Sequence, residues 1–267
     1  MRLGRTIEQQ TGRVTGAEAA YVRSVEERRS ASRASLRGPA SVLAAVARHD
    51  LPIGAHVTFG PDDDADVRLP GAARRVSVEA LADAFRVDGA QVGPGQIELG
   101  RYRLRLSHQN HPAVVVLDAE SPRLGEDIEL RWWPVDPRLR IRARLEPDGG
   151  RARIGSTASA ERDVERVGRI SFAIDGVPAR AVVTRLLEPG AQGWDVYFRD
   201  ATTGHGSYEA GRYVSVEREG EEVIVDLNRA YNPSCALSPY YNCPIPPREN
   251  HLTVAIRAGE MAPVKRG

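Results

Sequence analysis

Apolar and polar residues alternate most strictly over 138–145. Leu139, Ile141, Ala143 and Leu145 fall on one side, and Arg138, Arg140, Arg142 and Arg144 on the other. That is the period of a strand with one buried face. Tyr102, Leu104 and Leu106 alternate with Arg101, Arg103 and Arg105 in the same way, and Ile170, Phe172 and Ile174 are also spaced by two. The run 114–117 is unbroken and apolar, as in a strand buried on both faces. From Leu51 onward further short runs (56–59, 66–69, 84–87, 97–99, 181–187, 194–198, 212–216, 223–227 and 252–256) are punctuated by turn signals such as Asp175-Gly176 and Glu219-Gly220. This texture predicts a mainly β chain of the sandwich or barrel kind. The segment 146–166 is polar and reads as a loop or an irregular edge.

Helical patterning is confined to the N-terminal end. Thr15 and Glu18 have capping-box spacing, and a helix is predicted over 16–36, ended by Gly38-Pro39. Its apolar stripe, Tyr21 and Val25, is thin, so it is expected on a surface. A second short helix is predicted over 41–48, with Val42, Leu43 and Val46 inward. Residues 1–15 are expected to fray. The chain thus divides into an N-terminal helical arm (1–50), a small β-sandwich (51–125) and a larger C-terminal β-barrel or sandwich (126–267).

The 267 residues suffice for a sizeable core, and the net charge of +1 argues against a polyanion-binding protein. Lys265 is the only lysine beside many arginines, which reads as coding bias. The arginine rows on the strands have no interleaved aromatics to stack bases, so they are read as solvated or salt-bridged faces, with no nucleic-acid partner. The N-terminus has no apolar leader and no run approaches membrane-spanning length. A cytoplasmic protein is expected, with Cys235 and Cys243 as thiols. The acidic run Asp62, Asp63 and Asp64 lacks the spacing and closing Glu of a calcium loop and is read as a solvated turn. No metal and no cofactor are expected.

The chemistry concentrates in 226–250. This stretch holds both cysteines, three of the eight tyrosines, four asparagines and five of the eighteen prolines. Proline stiffens the backbone, while Asn and Tyr supply directed hydrogen bonds. The seven residues between Cys235 and Cys243 leave buried thiols, a disulfide, metal ligation and a nucleophile all open. The carboxylates Asp200, Asp226, Glu249 and Glu260 lie at strand ends or in the loops after them. They are either turn caps paired with Arg212, Arg229 and Arg257, or an acid–base set whose pKa values burial drives apart. No serine elbow, phosphate loop or dinucleotide fingerprint is present.

Residues 226–235, 243–250 and 255–260 together resemble the bacterial family called domain of unknown function 1684. The motif 198–204 with Tyr208 and 211–213 resembles the second landmark of that family, and 133–136, 58–60 and 69–70 resemble earlier ones. The family usually has Phe at the position of Leu227 and tryptophans in its N-terminal helix. No general reaction comes with the resemblance. The section 52–118 also resembles a forkhead-associated β-sandwich, without that fold's phosphothreonine-reading residues; the sandwich at 51–125 is therefore expected to be forkhead-associated-like in fold alone.

The reading at this point is an enzyme of unknown reaction acting on a small polar or acidic organic molecule held at the loop 226–250. Asp226, Tyr231 and Glu249 are its acid–base candidates and Cys235 its candidate nucleophile. Arg212 and Arg229 are expected to clamp an anion. Asp200, Thr203, Tyr208, Asn228, Asn232, Asn250 and Glu260 complete the ligand set. The alternatives are a non-catalytic binding module with the same mouth, and an interaction domain in which the loop is a packed plug.

Overall fold

The computed structural model describes residues 16–109, 111–158 and 161–266. Thr15, half of the expected capping box, and the rest of the segment expected to fray lie outside them. The chain is mainly β. One α-helix, α1 (Gly16–Ser35), precedes eighteen strands in four sheets among the described residues.

The first two sheets form a sandwich. One contains β1 (Ala45–Asp50), β7 (Gly95–Leu99), β8 (Tyr102–Gln109) and β9 (His111–Asp118) in the order β1-β9-β8-β7. The other contains β2 (His56–Gly60), β3 (Val67–Arg68), β4 (Val76–Ala80), β5 (Phe85–Val87) and β6 (Ala90–Val92) in the order β3-β2-β4-β5-β6. Phe59, Val78 and Phe85 of one meet Leu104, Leu106, Val114 and Val116 of the other in a single core. The alternation of 101–106 holds: Tyr102, Leu104 and Leu106 are buried, while Arg101 pairs with Asp118 and Glu120, and Arg103 with Glu98. The acidic run is tied down too, Asp63 to Arg68 and Asp64 to Arg75.

β9 is the central strand expected from 114–117. Val114 and Val116 enter the sandwich core, whereas Val115 and Leu117 face the other way, onto Tyr241 and Cys243. The predicted helix over 41–48 is corrected. Only Val42–Ala44 forms a short 3-10 turn, capped by Ser41, and Ala45–Asp50 is β1. Pairing along β9 supplies a full ladder, which outweighs the weak helical pattern of a short segment.

The third sheet has β11 (Arg140–Arg144), β12 (Glu146–Ile154), β13 (Arg162–Ile174), β14 (Val177–Leu186), β15 (Trp194–Phe198), β16 (Arg212–Glu219) and β17 (Glu222–Asp226), in the order β11-β17-β16-β15-β14-β13-β12. Both edge strands flank Leu145, so the sheet curls until its edges meet at one corner. It does not close into a barrel: β11 pairs with β17 and β12 with β13. Asp175 and Gly176, both at positive φ (48° and 78°), turn β13 into β14 in the conformation a tight hairpin requires. The polar stretch 146–166 is mostly strand, with β12 as an exposed, bulged edge. Its arginine-lined neighbour β11 behaves as read: Ile141 and Ala143 pack inward, and Arg142 pairs with Glu219 and Glu222. A small fourth sheet pairs β10 (Ile128–Glu129) with β18 (Val264–Lys265).

The strand predicted over 252–256 is also corrected. Leu252, Val254 and Ile256 are buried in the core of the curled sheet, but the segment makes no ladder. Its backbone is held by Arg199, Ala201 and the side chain of Asp200 instead.

Candidate functional site

β17 ends at Asp226, whose side chain accepts from the Asn228 amide N (3.2 Å) and caps the short 3-10 turn Leu227–Arg229. The same Oδ1 accepts from the Tyr21 hydroxyl at 2.7 Å. Asn228 donates through Nδ2 to the Tyr21 oxygen (3.0 Å) and to the Asp136 carbonyl (2.8 Å), and its Oδ1 accepts from the Asp136 amide (2.8 Å). One buried amide thereby joins α1, the segment before β11, and the end of β17. Burial and the adjacent Asp226 carboxylate push the Tyr21 pKa well above the tyrosine range. Arg229 lies between Asp226 (3.1 Å) and Glu217 (3.1 Å).

Residues 230–232 then cross the end of the sheet. Tyr231 exchanges backbone hydrogen bonds with Tyr213 (2.9 Å each) and sets its ring edge-on to that ring at 5.7 Å. The ring has an exposed edge, but its hydroxyl end is enclosed near Ser215 and Asp195. Burial there raises its pKa to about 12. The Asn232 amide N donates to Glu260 Oε2 at 2.7 Å, and Nδ2 donates to the Met261 carbonyl at 2.8 Å. Gly259 makes this approach possible. At φ 71° its missing Cβ would fall 2.6 Å from the Ala230 oxygen and 2.8 Å from that of Leu227, a position no larger residue fits. Burial raises the Glu260 carboxyl above the usual range, partly offset by the Asn232 amide.

These residues face α1 across a cleft of about 430 Å³. The helix contributes Val25, Arg28, Arg29 and Ser32, the loop contributes Asp226, Asn228, Arg229, Tyr231, Asn232, Ser234 and Leu237, and Trp132, Glu217 and Glu260 are among the remaining lining residues. Arg29 is buried, donates to the Trp133 carbonyl (3.0 Å) and pairs with Glu26 (2.9 Å). Its Nε and the Asn232 Oδ1 have no hydrogen-bond partner among the described residues. Both atoms are shielded from solvent, and a buried donor or acceptor without a partner is costly.

Of the residues picked out by sequence, Asp226, Asn228, Arg229, Tyr231, Asn232 and Glu260 come together here. The others do not. Arg212 is fully buried and donates to the Ala258, Ile256 (2.8 Å) and Glu260 (3.1 Å) carbonyls, and its guanidinium lies 3.4 Å from Asp200. Asp200 accepts from the Ile256 amide (2.6 Å) and from Thr202, and Thr203 closes the same turn. This set replaces the missing ladder of 252–256 and has no room for an anion. Asn250 is spent on the backbone of Val182 and Tyr197. Glu249 pairs at the surface with Arg166 (2.9 Å), which holds its pKa below the ordinary value. Tyr208 and Cys235 form a separate cluster with Cys243 against β9.

The wall on α1 escaped the sequence reading. Val25, Arg28, Arg29 and Ser32 line the cleft, and Tyr21 lies one turn before them on the same helical face. That spacing was the available signal, and its partner lies 205 positions away, at Asp226.

A mainly antiparallel β protein with a cleft between its N-terminal helix and the end of a curled sheet is the class that fold and site define. Residues 128–261, half of the chain, match the profile of the family described as "Protein of unknown function (DUF1684)", and the chain belongs to that family. The match takes in the whole loop and Glu260; the helix wall and the landmarks at 58–60 and 69–70 lie outside it. No curated protein matches. Among solved structures, the chain is similar to an uncharacterized protein of Haloarcula marismortui determined by solution NMR. That similarity is 31% identity over 49% of this chain and 75% of the other, with a TM-score of 0.40. No helix among the described residues is long and apolar enough to cross a membrane.

Proposed function

We propose that the cleft binds a small polar organic molecule carrying an acidic group and a second hydrogen-bonding group. The observation that supports this most is the meeting of Arg28, Arg29 and Arg229 with the Asn232 side-chain amide in one cleft. A carboxylate or phosphate suits the guanidinium groups, and a hydroxyl or amino group suits the carbonyl oxygen. The volume is that of an ordinary small-molecule site. Unbridged thiols fit the cytoplasmic setting expected from the sequence.

A second reading, that the bound molecule is also transformed, draws on Glu260. A carboxyl whose pKa is raised by burial, beside a bound acid, is suited to giving or taking a proton. Native mass spectrometry of freshly purified protein, followed by thermal-shift measurement with small hydroxy acids, amino acids and their phosphates, tests binding. Arg29→Met is expected to abolish the shift; a shift that survives this change, or no shift with any acid, counts against the cleft. For a ligand that binds, Glu260→Gln is expected to remove turnover and spare affinity.

A further inference from the structure

Below the cleft the same loop builds a second chemical centre. Cys235 and Cys243 are both free, the first half-buried and the second buried. The Cys235 amide N donates to Cys243 Sγ at 3.3 Å, which sets the second sulfur against the backbone of the first cysteine. The Tyr208 hydroxyl donates to the Cys235 carbonyl at 3.5 Å and the Thr157 hydroxyl to the Tyr241 carbonyl at 3.3 Å. Thr157 is itself fixed, since its Oγ1 accepts from the Cys243 amide at 2.9 Å and its backbone N donates to the Cys243 carbonyl at 3.0 Å. Tyr241 and Cys243 are seated on Val115 and Leu117, the outer face of β9. The two cysteines are therefore held side by side, the first partly reachable and the second covered.

We infer that Cys235 and Cys243 are a site of oxidation by hydroperoxides, in which Cys235 reacts first and Cys243 resolves it to a disulfide. The Cys235 thiolate attacks the outer peroxide oxygen; the O–O bond breaks and the departing alkoxide or hydroxide takes up a proton. Cys235 becomes a sulfenic acid. The Cys243 sulfur, losing its proton, attacks the Cys235 sulfur; the S–O bond breaks and water leaves. Two thiols lose two electrons and one peroxide gains them. Cys235 is the more accessible of the two, and its pKa is lowered, chiefly by the neighbouring Cys243 thiol. That of Cys243 is raised by the same contact and by burial. An S–S bond of about 2 Å needs the sulfurs to draw closer than hydrogen-bonding contact, which moves the segment around Cys235. Ser234 and Leu237 of that segment line the cleft, so oxidation is expected to reshape one of its walls.

The test uses the native full chain with hydrogen peroxide or cumene hydroperoxide, read by intact mass and peptide mapping. Expected are a loss of two hydrogens and a peptide linking Cys235 to Cys243. In Cys243→Ala, the sulfenic acid at Cys235 persists and is captured by dimedone. In Cys235→Ala, Cys243 stays reduced. Oxidation only after unfolding, or attack on Cys243 in Cys235→Ala, overturns the inference. Should the variants fold poorly, iodoacetamide labelling of the wild type against pH decides. Labelling mapped to Cys235 with a midpoint below that of an ordinary thiol supports it. Labelling at Cys243, or a midpoint at or above the ordinary value, overturns it. None of these readouts depends on a ligand in the cleft.

Discussion

Arg212 and Arg29 are both almost wholly removed from water, at 0% and 6% exposure, and each leaves its Nε without a hydrogen bond. They differ in what surrounds them. Arg212 is packed on the Phe198 ring at 5.2 Å and spends both terminal nitrogens on three carbonyls and Asp200. No space adjoins it. Arg29 holds Glu26 and one carbonyl, and beside it lies a cleft shared with two further arginines. Residue type and burial are the same in both places. Only the open volume beside the second separates them; of the two arginines expected to clamp an anion, Arg212 has no such volume, while Arg229 lines the same cleft as Arg29.

The sharpest way to break this comparison is to remove the enclosed guanidinium. Arg212→Met leaves Asp200 buried and unpaired and frees three carbonyls. A cost of roughly 3–5 kcal/mol is expected in denaturant unfolding. A loss below about 1 kcal/mol would mean that the network is dispensable and that Arg212 was selected for something else. Asn228→Ala is next. It removes the amide that bonds Asp136 in both directions. The expected loss is about 1–3 kcal/mol, together with loosening of α1, measurable as faster hydrogen exchange over 16–35.

What the sequence revealed follows how local the physics is. Alternation over 101–106 marked a strand correctly, because a buried face every second residue depends only on neighbours in the chain. That over 138–145 did so for 140–144, its first two residues lying in a 3-10 turn instead. The unbroken 114–117 pointed to a strand covered on both faces, and the covering element proved to be the cysteine loop. Asn228, Tyr231 and Asn232 were marked by composition, since a stiff loop rich in directed donors has few other uses. The α1 wall was hidden because nothing near Tyr21 signals a bond to Asp226. β1 was missed because its ladder partner lies in β9, and 252–256 looked like a strand although side chains from Asp200 and Arg212 do the holding.

Glu260 sharpens the cleft side with a smaller effect. Its folded pKa is raised, so the folded chain keeps the proton where the unfolded chain, near the ordinary value of about 4.3, has released it. Stability therefore falls as pH rises from that value through the folded one, and is flat above. Glu260→Gln cannot ionise, so it is expected to be more stable than the wild type above this window and equal to it below. Urea melts at several pH values check the sign. A gap that widens toward acid pH would show that Glu260 is stabilised as a carboxylate and would remove it from acid–base consideration.

The smallest effect is expected at Glu249, the carboxylate that sequence reasoning placed among the catalytic residues. Its side chain is 48% exposed and faces Arg166 at 2.9 Å, with Arg169 at 3.9 Å and Asp148 sharing both arginines. Hydrogen bonding from Arg166, the largest cause, lowers its pKa. A lowered carboxylate adds stability above the unfolded pKa and loses it as pH falls through the folded one. Water and salt screen a pair this exposed, so Glu249→Gln is expected to cost no more than about 1 kcal/mol at neutral pH. The cost should shrink in high salt and vanish in acid. Ligand-induced thermal shifts in the cleft should be unchanged, because Glu249 is not among the residues lining it. If Glu249→Gln abolished those shifts while leaving the melt of the free protein intact, the chemistry would belong to the β12–β13 edge, and the cleft beside α1 would be the structural feature of the two.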